Sequence, residues 1–198
     1  MTSGPPTPSW TRQLADLLDQ TRVSARSGAE LDPARGFALA LELILRVRAG
    51  RHKVMAVGNG GSAAIASHLQ TDLAHSLGVR ALVFTEPSLL TAQANDHGYP
   101  QAFQNQARLW TEPGDLLVAI SSSGRSANIL GACAVARELG AALITCSGFA
   151  PDNPLRTLGD VNFHVPSPRY GAVESAHAVL LHHLTDQVLA SINPEVAR

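Results

Sequence analysis

Cysteine is scarce in this sequence: Cys133 and Cys146 are the only two among 198 residues. They have neither metal-ligand spacing nor the density of a secreted scaffold, so both read as reduced, structural thiols. Charge of one sign is missing as well. Charged residues make up 16% of the chain and the formal net charge is −1, which leaves no electrostatic footprint for nucleic acid or an anionic membrane. No apolar run approaches the ~18 residues that a membrane helix needs. The opening MTSGPPTPSW has no basic region and no apolar core, so it is not a signal peptide, and the chain reads as cytoplasmic. Two phosphate motifs are absent too. Without G-x-x-x-x-G-K-[ST] there is no nucleotide-hydrolysing P-loop, and the glycines at 58, 60 and 61 do not make G-x-G-x-x-G.

What the chain does have is an apolar content of 45%, ample for one globular domain. Residues 1–9, rich in Pro, Ser and Thr, read as a tail, and 10–198 as a single domain. Leu14, Leu17, Leu18 and Val23 recur at helical spacing from Trp10 to about Ala25. Asp32 and Pro33 then open a second amphipathic helix that runs to Ala49, so 10–50 reads as a helical hairpin. From Lys53 onward, short apolar runs (53–57, 80–84, 115–120, 141–146, 161–165) alternate with helical segments (62–77, 87–94 with 99–110, 126–139, 152–158, 172–191). That alternation predicts an α/β three-layer sandwich around a five-stranded parallel sheet.

In such sheets, ligands bind where strand C-termini meet helix N-termini. Two loops at those places suit an anion. GNGGS (58–62) offers backbone N–H groups unshielded by side chains, and SSSGRS (121–126) offers the hydroxyls of Ser121, Ser122, Ser123 and Ser126. Ordinary turn and N-cap chemistry is the alternative for each loop alone. Further on, His68 and Asp72 share a helix face, and Glu174, His177, His182 and His183 cluster on the last helix. Two imidazoles and two carboxylates fit a borderline metal such as zinc; a solvated polar face is the alternative. His97, Arg125 and the remaining histidines carry no partner in sequence, and Arg169 and Tyr170 are left open.

At these residues the chain resembles a sugar isomerase (SIS) domain and, within that group, the phosphoheptose isomerases. The resemblance runs through GNGGSAA, AND (94–96), GDLLVAISSSGRSANIL, VPSP and the final VESAH helix. It implies a flavodoxin-like SIS fold, a homotetramer, a zinc ion, and interconversion of sedoheptulose 7-phosphate with D-glycero-D-manno-heptose 7-phosphate. By position it assigns phosphate to Ser62, Ser121, Ser122, Ser123 and Ser126, and sugar contacts to Asn59, Gly60, Gly61, Asn95, Asp96 and Glu174. The family's metal and catalytic set of His, Glu, Gln and His falls on His68, Asp72, Glu174 and His182. Asp72 is one methylene shorter than the family residue, and Glu174 carries a carboxyl where the family has an amide.

Aldose–ketose isomerisation moves a proton between C1 and C2 through an enediol, which takes a base at carbon and an acid at the carbonyl oxygen. Asp72 is the expected base, with Glu174 as its rival, and His182 the expected acid. The alternative is a non-catalytic SIS protein that binds a phosphosugar as a regulator or assembles other proteins, or an isomerase of another phosphosugar. Retention of a carboxyl group at 72 beside both histidines favours the enzyme.

Overall fold

The computed structural model describes residues 9–195. The tail expected at 1–9 lies, apart from Ser9, outside the described residues. Ser9 caps α1 (Trp10–Asp19), its hydroxyl accepting from the Arg12 N–H. A β-hairpin follows, β1 (Arg22–Ala25) and β2 (Glu30–Leu31), before α2 (Pro33–Ala49), which Asp32 caps through the N–H groups of Ala34 and Arg35. The alternating core is β3 (Lys53–Val57), α3 (Gly61–Thr71), a π-turn (Asp72–Ser76), β4 (Arg80–Val83), α4 (Pro87–His97) and α5 (Ala102–Trp110). It continues with β5 (Leu116–Ser121), α6 (Ala127–Glu138), β6 (Ala142–Gly148), β7 (Val161–Val165) and α7 (Tyr170–Ile192).

The strands lie in the order β2-β1-β7-β6-β5-β3-β4. From β4 to β7 all neighbours are parallel, and β1 and β2 extend that sheet antiparallel at the β7 edge. The expected five parallel strands are therefore only part of a sheet of seven. The expected helical hairpin over 10–50 is corrected with it, because residues 22–25 pair with β7 instead of prolonging α1. The physical reason is non-local. An open β7 edge presents unpaired backbone groups, and β1 fills it while the Asn162 amide donates to Ser24 O at 3.1 Å. A Cβ at Gly36 would overlap the Val23 side chain, so a bare position in α2 lets the added strand pack beneath it.

Side chains alternate along each strand to feed two cores. Val54, Ala56, Leu116, Val118 and Ile120 meet α2, α3 and α7 on one face. Met55, Val57, Leu117 and Ala119 meet α5 and α6 on the other. This is the expected three-layer sandwich. The chain leaves β3 toward β4 on one side and toward β5 on the other, so the order reverses between β3 and β5, the place where doubly wound sheets open a crevice. No helix of the described residues is long and apolar enough to cross a membrane.

Candidate active site

The loop after β3 turns tightly into α3. A Cβ at Gly58 would overlap the backbone of Ser62, and Gly60 takes φ 55° as the helix N-cap, a region that L side chains rarely adopt. Ser62 lies in the first helical turn, buried. Asn59 is locked by a reciprocal amide pair with Asn128 at 3.0 and 2.9 Å. The Tyr99 hydroxyl donates to the same Asn59 Oδ1 at 2.7 Å.

The loop after β5 curls opposite. Ser126 is the N-cap of α6, but its side chain makes no capping bond; it sits 3.3 Å from Ser121 Oγ instead. Ser123 Oγ accepts from the Arg125 N–H at 3.2 Å, and Arg125 itself turns outward to Asp152 at 3.1 Å. Together Asn59, Ser62, Ser121, Ser122, Ser123, Ser126, Tyr170 and Glu174 line a cavity of about 120 Å³. The Ser122 hydroxyl is buried there and has no hydrogen-bond partner among the described residues. Buried polar groups are rarely left that way without a ligand or water to satisfy them. Turn and cap chemistry alone leaves that hydroxyl unexplained.

Glu174 enters this cavity from the first turns of α7. Its carboxyl lies against Gly61, so close that a Cβ there would overlap it. It thus occupies the positive end of α3, where an anionic ligand is favoured.

A second cavity, about 330 Å³, opens further along the seam between the same two helices, lined by Ala64, Ile65, His68, Leu69, Asp72, Ala178, Leu181 and His182. Asp72 Oδ2 stands 3.7 Å from His68 Nε2 and 3.4 Å from His182 Nδ1, and the two imidazole rings are 4.6 Å apart. Asp72 begins the π-turn, a local widening found often at functional sites. One donor atom from each of the three residues lies within 4.8 Å of the others. Two imidazoles and a carboxylate match the donor set of catalytic zinc sites, which keep a position open for substrate.

Glu174 is not in that group. It precedes His182 by two helical turns, about 12 Å along the axis. The remaining histidines of the last helix diverge as well. His177 is buried against the sheet, donating or accepting at Ser147 O over 3.0 Å. His183 packs edge-on against Phe37 and bonds Gln187. Asn95 and Asp96 lie exposed on α4, hydrogen-bonded to each other, and line neither cavity.

Sequence reasoning missed Asn128 and Tyr99; Tyr170, left open there, lines the serine cavity. For Asn128 the only signal was its place in SSSGRSAN, one residue inside the helix that the serine loop opens.

The SIS-domain family model matches residues 20–148. A phosphoheptose isomerase from Shewanella sediminis is 32% identical over 184 residues, 89% of this chain and 91% of that one. The solved phosphoheptose isomerase GmhA from Neisseria gonorrhoeae superposes with a TM-score of 0.78 at 30% identity, covering 90% of this chain and 94% of the other. That from Francisella tularensis gives 0.76 at 27% identity, over 90% and 94%.

Proposed function

The chain belongs to the SIS-domain family, among its phosphoheptose isomerases, and from that premise we propose that it interconverts sedoheptulose 7-phosphate and D-glycero-D-manno-heptose 7-phosphate. The observation that carries the reading is the layout of the α3–α7 seam. A hydroxyl-lined anion cavity lies at the head of both helices, and an acid–base cluster lies further down the same seam. A phosphosugar bound by its phosphoryl group at the head extends its other end along that seam.

The serine hydroxyls and the α3 N-terminus receive the phosphoryl group. Binding energy spent there, remote from the reacting carbons, orients C1 and C2. Asp72 takes the proton from carbon and His182 supplies one to the carbonyl oxygen, their side chains already 3.4 Å apart. His68, Asp72 and His182 would hold a zinc ion, which when bound supplies Lewis-acid polarisation of an oxygen. Asn59, Gly60 and Gly61 form the wall nearest the sugar. Asn95 and Asp96 are exposed and line neither cavity of their own subunit, so we assign them to a neighbouring subunit's site in a homotetramer. The reading also places the enzyme in the cytoplasm, where the buried thiols of Cys133 and Cys146 stay reduced.

Two substitutions separate the roles along the seam. Ser122→Ala removes the unpartnered hydroxyl and should raise KM for sedoheptulose 7-phosphate about tenfold, with kcat nearly unchanged. An unaltered KM would remove phosphate from that cavity. Glu174→Gln tests the carboxyl at the head of α3. Like charges repel in a desolvated cleft, so the amide should lower KM about tenfold while kcat holds. A thousandfold fall in kcat would instead make Glu174 the base. The enzyme reading itself stands on a direct assay: purified protein loaded with zinc either equilibrates the two heptose phosphates or does not.

A further inference from the structure

The opposite end of the sheet, where β3 and β4 begin, carries a third cavity. It has a volume of about 370 Å³ and is lined by Arg48, Arg51, His52, Gly78 and Arg80. No carboxyl group lines it, and among the described residues none of its three guanidinium groups enters an ion pair. Glu112, which shares an adjoining cavity with Arg80, is held by Lys53 at 2.7 Å.

Basic residues at a helix C-terminus often need no ligand to explain them, because they offset the helix dipole and cap its last carbonyls. Here the end of α2 is capped without them. The carbonyls of Arg46, Val47 and Arg48 receive the N–H groups of Gly50, His52 and Arg51. The guanidinium groups are instead aimed by single bonds to other segments: Arg48 Nε donates to Leu77 O at 3.0 Å, and Arg80 Nη1 to Arg51 O at 2.9 Å. Among the described residues each keeps its remaining N–H groups free of hydrogen-bond partners, and the Arg51 side chain makes no hydrogen bond or ion pair. Arg51 also holds a left-handed φ of 54°, uncommon for a residue with a side chain. The His52 ring fits between Gly50 and Gly114, and a Cβ on either would overlap it.

We propose that this cavity binds a small anion bearing two phosphoryl groups, a diphosphate or a bisphosphate. Three planar forks converging without a counter-charge suit paired phosphoryl oxygens, which guanidinium groups grip two N–H at a time. A single phosphoryl group would leave positive charge uncompensated. The chain as a whole is at net charge −1, a balance that suits a small ligand better than a polymer backbone. The serine cavity at the other end recognises its anion with neutral hydroxyls, so the two sites respond to different substitutions.

The test is calorimetric titration of the full-length protein with inorganic pyrophosphate, then with ADP and with fructose 1,6-bisphosphate as the two organic forms. Pyrophosphate should bind the wild type and Ser122→Ala alike, and more tightly than orthophosphate by about tenfold. Arg51→Ala should weaken it about tenfold and Arg51→Glu abolish it, with melting temperature and isomerase turnover unchanged, since that side chain makes no hydrogen bond or ion pair among the described residues and lines neither cavity of the α3–α7 seam. Preference for either organic form supports the site and identifies which source fills it. Absence of heat, loss of binding in Ser122→Ala, or indifference to Arg51→Glu would each overturn the proposal.

Discussion

Asp72→Asn is expected to lower kcat for heptose phosphate isomerisation by about a thousandfold while the protein melts within a few degrees of wild type. Proton transfer by a positioned side chain contributes about 10²–10⁴ in rate, and an amide in the same volume cannot accept the proton. The fold should survive because the Asp72 side chain is only partly buried and its contacts are the two histidines rather than the core. His182→Ala removes the opposite half of the transfer and should cost a similar factor, again without unfolding, since its side chain is half-exposed on α7. Combining the two should cost little more than either alone, because groups that act as a unit are far from additive. Bound metal read by plasma spectrometry supplies a second measure, with zinc per chain falling in both variants. If both keep wild-type kcat, the cluster does no chemistry and the seam is only a place where a sugar rests.

Asp72 is one methylene shorter than the glutamate its family pattern would place there, and the structure shows how the shorter residue still meets its partners. Its backbone N–H still closes the regular α3 ladder on His68 O, and its carboxyl lies 3.7 Å from one imidazole and 3.4 Å from the other. Spacing of four residues announced the His68–Asp72 face, but no sequence signal marks a π-turn. The arrival of His182 depends on how α7 lies against α3, which is a tertiary fact.

The same division runs through the rest of the molecule. Strands β3, β5 and β6 were legible because each is buried on both faces and reads as a nearly continuous apolar run, while β4 at the edge is only partly buried. The serine loops were legible because two glycine and serine clusters sit at the ends of neighbouring strands, where turn and cap chemistry would explain either one alone. What escaped was set by long-range pairing. Val23 fits a helical stripe with Leu14 and Leu18, yet Arg22 to Ala25 is drawn into the β7 edge, a demand made by residues 161–164. Glu174 and His182 were expected to converge on one point from a single helix. They fall instead in adjoining cavities, because α3 runs alongside α7 and offers Gly61 to one and His68 to the other. His177, two turns from neither, is carried to the sheet side, where it belongs to stability.

That side of α7 predicts a steep loss of stability in mild acid. His177 is fully buried, its Nδ1 has no hydrogen-bond partner, and burial pushes its pKa down to about 4. His164 lies nearby on β7, and burial, followed by the charges of Arg156 and Arg22, likewise lowers it to about 4. Ser147 joins them: its carbonyl meets His177 Nε2, and its hydroxyl, which accepts from Asn153, is left to donate to His164 Nδ1. Both rings are therefore held neutral in the folded state, while the unfolded chain takes up protons near the ordinary value of 6.5. The unfolded state binds more protons throughout that window, so stability is complete above about pH 6.5 and drains away as pH falls toward 4. At pH 5 the loss should be about 2 kcal/mol for each imidazole, a large share of an ordinary folding free energy. Urea unfolding at fixed protein concentration, compared at pH 7.5 and pH 5, reads the difference directly. His177→Gln, whose amide N–H can still reach Ser147 O, should halve the pH dependence although it lowers stability at neutral pH. A wild-type unfolding free energy equal at the two pH values would mean that these rings open to water and charge without disturbing the core.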